Sequence, residues 1–137
     1  MKLIANWQLP IKTANEANSS EHWTKKAKRR KMQRWMIKAA LRAEPLIVAL
    51  PERRNDDSHF ALCKIRIVLS RIAPRNLDSH DNLPMAFKGI VDAISEELTG
   101  NYVAGRADDA DWITWEYRQE KGKVRQYAVR IEIYENQ

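Results

Sequence analysis

The chain holds a single cysteine, Cys63, set in an alternating apolar stretch. A lone thiol in that setting excludes a disulfide framework and a thiolate metal site. No apolar run approaches the roughly 20 residues that a membrane-spanning helix needs. Internal repeats, low-complexity tracts and a linker of biased composition are missing as well. A length of 137 residues then predicts one domain, 1–137, with room for one core and not for two. The run from Met1 to Trp7 has one positive charge and alternates, so it reads as a strand and not as a secretory signal. Together these absences predict a cytoplasmic protein.

Acidic residues are scarce in one half of the chain. Residues 1–71 hold 16 lysines and arginines against 6 aspartates and glutamates, and residues 72–137 hold 8 against 12. A basic half favours a polyanionic partner. The imbalance is steepest from about Glu21 to Ala43, where the pattern is helical and Ser19 or Ser20 supplies a cap. Trp23, Ala27, Met32, Trp35, Met36, Ala39 and Ala40 recur at three- and four-residue intervals and predict one buried stripe. That reading puts Trp23 and Trp35 in the core and not in a base-stacking role. Around the stripe stand Lys25, Lys26, Lys28, Arg29, Arg30, Lys31, Arg34, Lys38 and Arg42. A solvated basic face is the bland reading. The density and single sign favour contact with nucleic-acid phosphates, where each cation releases counterions as it neutralises backbone charge.

The remaining elements are predicted in order. Lys2 to Leu9 is a first strand ended by Pro10, and Glu44-Pro45 closes the basic helix. Leu46 to Leu50 starts a short strand. Phe60 to Ile72 alternates, with Ala61, Cys63, Ile65, Ile67 and Leu69 on its core face. Leu83 to Leu98 is a second helix with the apolar stripe Leu83, Phe87, Ile90, Ile94 and Leu98, tolerating Pro84 in its first turn. Trp112 to Gln119 is a strand, Glu120 to Lys123 a hairpin turn, and Arg125 to Tyr134 the partner strand. The fold class is α/β (α+β): a single small domain with a mixed sheet, two main helices and a C-terminal β-hairpin.

Chemistry concentrates between the strand and the second helix. Asp78 and Asp81 lie three residues apart in the stretch from Arg75 to Leu83, and Asp81 or Asn82 is the natural cap of the helix. Asp81, Lys88 and Asp92 share one helical face, opposite Phe87, Ile90 and Ile94. Carboxylates so close suit a hard divalent cation such as Mg²⁺, which prefers oxygen ligands. Asp108, Asp109 or Asp111, before the next strand, could complete the set. Lys88 is then placed to bind a phosphate or position a nucleophile. The structural alternatives are an Asx-turn at Asp78, a helix cap at Asp81 and an exposed Lys88–Asp92 pair. His80 is a hydrogen-bonding neighbour, the bland reading, or a ligand or general base; His22 and His59 carry no signal.

The run Leu77-Asp78-Ser79-His80-Asp81-Asn82-Leu83, followed by Lys88, Asp92-Ala93-Ile94 and Asp108-Asp109-Ala110-Asp111, resembles the RusA-like family of phage-derived endodeoxyribonucleases, the Holliday junction resolvases. The likeness extends over most of residues 1–134, with its specific motifs confined to about 77–111. It implies Asp78, Asp81 and Asp109 as metal-binding aspartates and Lys88 as the catalytic lysine. It also implies Mg²⁺ (or Mn²⁺) and no organic cofactor. The partner would be branched DNA, nicked in pairs by a homodimer in recombination and repair within a bacterial or phage-infected cell. Lys25, Lys26, Lys28, Arg29, Arg30, Lys31, Arg34 and Arg75 form the expected DNA-binding set. Two departures stand out. His80 lengthens the aspartate spacing by one residue, and Lys88 and Asp92 lie about one helical turn further from Asp81 than in the family pattern. The alternatives are a non-catalytic DNA-binding protein on the same fold and an RNA-binding α/β domain that stacks bases on Trp and Tyr.

Overall fold

A computed structural model describes residues 2–13, 23–48, 64–77, 82–99 and 112–135. The elements are β1 (Lys2–Leu9), α1 (Trp23–Arg42), α2 (Pro45–Val48), β2 (Ile65–Ala73), α3 (Asn82–Ala86), α4 (Lys88–Thr99), β3 (Ile113–Lys121) and β4 (Ala128–Glu135). Four strands form one mixed sheet in the order β1-β4-β2-β3. β4 is antiparallel to both β1 and β2, whereas β2 and β3 run parallel. This is the small α/β domain with a mixed sheet that the pattern predicts. Among the described residues no helix is long and apolar enough to cross a membrane.

β2 takes a central place because it is apolar on both sides. Ile65, Ile67 and Leu69 face the helices with no exposure, while Val68 and Ile72 are buried on the other face. The helix side closes over Ile37 and Leu41 of α1, Leu83 of α3, Phe87 between α3 and α4, and Ile90, Ile94 and Leu98 of α4. All five positions of the predicted second-helix stripe are therefore buried. The opposite face is covered by long charged side chains, with Arg66 and Arg118 on Glu116 and Arg130 on Glu120. The parallel step from β2 to β3 needs a crossover, which α3 and α4 lie within.

The expected C-terminal hairpin does not form. β3 pairs with β2 and β4 pairs with β1 and β2, so β2 lies between the two strands predicted to be partners. Residues 122–127 arch over the end of β2, and Gly122 donates its N–H to the Ala73 carbonyl at 2.8 Å. Arg125 turns there with φ of 62°, and β4 starts at Ala128. A turn signal fixes a reversal of the chain but not whether the two arms touch. The strand with most apolar surface on both faces gains most from the gap between them.

Three further expectations are corrected. The stretch after Pro45 is a helical turn, α2, and not a strand start, with Val48 donating to the Glu44 carbonyl at 3.0 Å. The second helix is interrupted at Phe87, whose N–H reaches the Pro84 carbonyl in a tighter i→i−3 bond before α4 resumes. On α1 the buried residues are Gln33, Ile37 and Leu41, not the predicted stripe. Trp23 is 73% exposed, Trp35 70% and Met32 50%. The inward face is the one that adds Ile37 and Leu41 to the core, and its Gln33 reaches Gly89 of α4 and the Lys12 carbonyl.

These placements give opposite outcomes for two large residues. Ile67→Ala, in the fully buried face of β2, is expected to cost about 2–5 kcal/mol, whereas Trp35→Ala is expected to stay within about 0.5 kcal/mol. Urea denaturation of both variants checks this.

Candidate nucleic-acid interface at one end of the sheet

The register gathers several chain ends at one place. Leu9 pairs with Val129, Ile72 with Ala128 and Ala73 with Lys121. The exits of β1, β2 and β3 and the start of β4 thus lie at the same end of the sheet. In open α/β sheets the carboxyl ends of parallel strands are the usual place for ligands. Here β2 delivers the chain towards the aspartate loop.

The described backbone ahead of Asp78 is held by two side chains from the sheet. Gln119 of β3 accepts the Leu77 N–H at 2.8 Å and donates to the Leu77 carbonyl at 2.7 Å, so one amide pairs with the backbone as a neighbouring strand would. Arg71 of β2 is 5% exposed. Its Nε donates to Thr13 Oγ1 at 3.1 Å and its Nη1 to the Arg75 carbonyl at 2.6 Å. Arg71 thereby ties the segment after β1 to the segment after β2. Burial lowers the pKa of this guanidinium, opposed by the Tyr127 hydroxyl, but an arginine stays charged at neutral pH. Among the described residues no carboxylate pairs with it. Lys12 lies over the Tyr127 ring at 4.6 Å, and its carbonyl accepts from Gln33 of α1. Neither Arg71 nor Gln119 stood out in the sequence, because each reads as one position of an alternating strand.

The remaining candidates divide. Lys88 opens α4 and is exposed, with half-buried Asp92 one turn on. Their side lies away from Phe87, Ile90 and Ile94, each fully buried, and among the described residues no ion pair joins them. Asp78, His80, Asp81 and Asp109, with Asp108 and Asp111, lie outside the described residues. The described residues contain no cluster of three or more His, Cys, Asp or Glu. The chain enters β3 at Ile113, opposite Ile65, at the far end of the sheet from Ala73. Eight residue steps of about 3.3 Å separate the two ends, so the root of Asp109 and the root of Asp78 are about 26 Å apart along the strands.

The basic helix approaches the loop end. Arg30 and Gln33 of α1 lie against Gly89, next to Lys88. From there α1 runs alongside α4 as far as Arg42, where Glu97 accepts at 2.9 Å. Arg34 pairs with Glu96 at 2.9 Å, and Lys38 lies 3.7 Å from both Glu96 and Glu97. Ahead of this tethered part, residues 23–32 include none that is buried. Lys25, Lys26, Lys28, Arg30 and Lys31 are exposed and meet no carboxylate among the described residues. Arg29 is half-buried, and Arg75 is exposed at the aspartate loop's root. The end of the sheet from which residues 78–81 depart is therefore strongly cationic.

If Gln119 holds the loop root, Gln119→Ala should lower stability by about 1–2 kcal/mol, the worth of two ordinary hydrogen bonds. It should also speed hydrogen exchange at the Leu77 amide far more than at Ile67, as read by NMR. Comparison with models of known families, with curated proteins and with solved structures finds no match to this chain.

Proposed function

We propose that this protein is a Mg²⁺-dependent endodeoxyribonuclease that nicks branched DNA, acting as a homodimer in the cytoplasm during recombination and repair. The observation that carries this reading is the meeting at one end of the sheet of two features. One is the run of Lys25, Lys26, Lys28, Arg30 and Lys31 on α1, exposed and meeting no carboxylate among the described residues; the other is the backbone pinned at Leu77, just ahead of Asp78 and Asp81 in the chain. Phosphate-binding charge beside closely spaced carboxylates is what metal-assisted cleavage of a phosphodiester needs.

Asp78, Asp81 and, by the family resemblance, Asp109 are the residues that would hold the ion, with hard oxygens of the kind Mg²⁺ selects. Bound there, Mg²⁺ would supply an activated water and relief of the charge that develops on the phosphate. The protein's own groups do the rest. Lys88, exposed at the head of α4, holds a non-bridging phosphate oxygen. Lys25, Lys26, Lys28, Arg29, Arg30, Lys31, Arg34 and Arg75 set the DNA backbone in register. Gln119 and Arg71 keep the loop root from drifting, which preserves the placement that catalysis depends on.

A second reading is a non-catalytic DNA-binding protein on the same scaffold. The observation favouring it is the arrival of the chain at Ile113 from the far end of the sheet, which separates the root of Asp109 from that of Asp78. One assay divides the two readings: a labelled four-way junction with Mg²⁺, with Mn²⁺, with EDTA, and with Asp81→Asn. The nuclease reading expects paired nicks in Mg²⁺ or Mn²⁺ that EDTA abolishes. It also expects Asp81→Asn to reduce cleavage at least about 100-fold while junction binding persists. Tight junction binding with no nick in either metal would discard it for the second reading.

A further inference from the structure

α1 carries a second apolar row on the side opposite the one it buries. At about 100° per residue, Trp35 and Ala39 point roughly half a turn away from the direction shared by Gln33, Ile37 and Leu41, with Met32 beside them. Trp35 is 70% exposed, Met32 50%, and Ala39 is exposed as well. The spacing of 32, 35 and 39 makes them one continuous row along the helix. The side chains three and four residues from Trp35 are Lys31, Met32, Lys38 and Ala39, and Lys28 stands one turn before Met32. Lys28 and Lys31 are exposed and meet no carboxylate among the described residues. The result is an indole and a thioether flanked by the ammonium groups of Lys28 and Lys31.

Charge selects the occupant. A second copy of the chain would set one run of cations against another, at a cost in repulsion. An intact duplex offers phosphates to the lysines but keeps its base faces stacked on one another. Unpaired nucleotides offer both a regular negative backbone and open aromatic faces, the combination met by grooves that pair lysines with aromatic side chains. We propose that the Met32–Trp35–Ala39 row is a base-stacking platform for unpaired nucleotides, with Lys28 and Lys31 on the flanking phosphates. The proposal rests on the branched-DNA reading above and deepens it. The platform takes bases that lose their stacking neighbours at a branch, and so gives the enzyme its preference for branched over plain duplex DNA. Along the helix the row starts level with Arg30 and Gln33, which lie against Gly89 near Lys88, and it faces away from α4.

The test measures fluorescence anisotropy of labelled oligothymidine and of a blunt duplex, each against the unaltered chain, Trp35→Ala and Trp35→Phe. Because Trp35 lies outside the core, all three should show the same circular dichroism. Trp35→Ala should weaken oligothymidine binding about tenfold, the order of one base–aromatic stack. Duplex binding should change by less than about twofold, and Trp35→Phe should keep most of the single-strand affinity. An unchanged oligothymidine affinity, or an equal loss on both DNAs, overturns the platform. Oligothymidine binding that survives in Trp35→Ala, while binding to phosphatidylglycerol vesicles or a sedimenting dimer is lost, overturns it in favour of a membrane surface or a second copy. Junction nicking in Mg²⁺, run alongside, separates the two proposals. A Trp35 effect without nicking by the unaltered chain leaves the platform and removes the nuclease. Nicking without a Trp35 effect does the reverse.

Discussion

The position of β2 between β3 and β4 is the constraint on which the other placements depend. A strand apolar on both faces must be covered on both, so it occupies the interior of the sheet with helices on one side and a mat of paired charges on the other. That location sends the chain out between two neighbours at one end of the sheet. There Gln119 from β3 and Arg71 from β2 itself reach the departing backbone. Because β2 separates β3 from β4, residues 122–127 cross its end, where Gly122 donates to the Ala73 carbonyl. That crossing follows from the sheet order.

Arg71 shows what this arrangement costs. A buried guanidinium without a carboxylate among the described residues is costly to desolvate, and its hydrogen bonds to a hydroxyl and a carbonyl offset this only in part. A purely structural tie between residues 13 and 75 has no need of a charge, since a neutral donor would serve. A cation kept at this spot raises the potential at the loop end and favours an anion beside it. It adds to the field of Lys12, Arg75 and Lys88, all exposed at the same end.

Local pattern made much of this legible. β1 has the bounds that its alternation and Pro10 dictate, and the Ile65, Ile67 and Leu69 face and the second-helix stripe lie inside as their periods require. What failed were features set by distant parts of the chain. The turn expected over Glu120–Lys123 comes later, since β3 runs on to Lys121 and the chain turns at Val124 and Arg125, and only the competition for the sheet's interior decides that β2 separates its arms. In α1 the apolar residues fall on two faces, and periodicity cannot say which one turns inward. The inward face is the one whose Ile37 and Leu41 meet the core built by distant elements, and it even includes Gln33. For the candidate site, the sequence showed the Lys88 face and the cationic helix. Gln119 and Arg71 were invisible to it, because their partners are backbone groups more than 40 residues away for one and a threonine 58 residues away for the other.

How charge is sorted along α1 separates a binding surface from a merely soluble one. Glu96 is buried and Glu97 half-buried, and together they hold Arg34, Lys38 and Arg42 of α1. Their effect is also spatial. They neutralise the part of α1 that lies along α4 and leave the part before it with cations alone, close to the positive end of the helix dipole. Like charges crowded there repel one another, and an anionic partner relieves that repulsion as it binds. Acids scattered evenly along the helix would have removed both the repulsion and the bias. With the acids confined to one end, a polyanion is drawn towards the other, where β2 releases the chain into its aspartates.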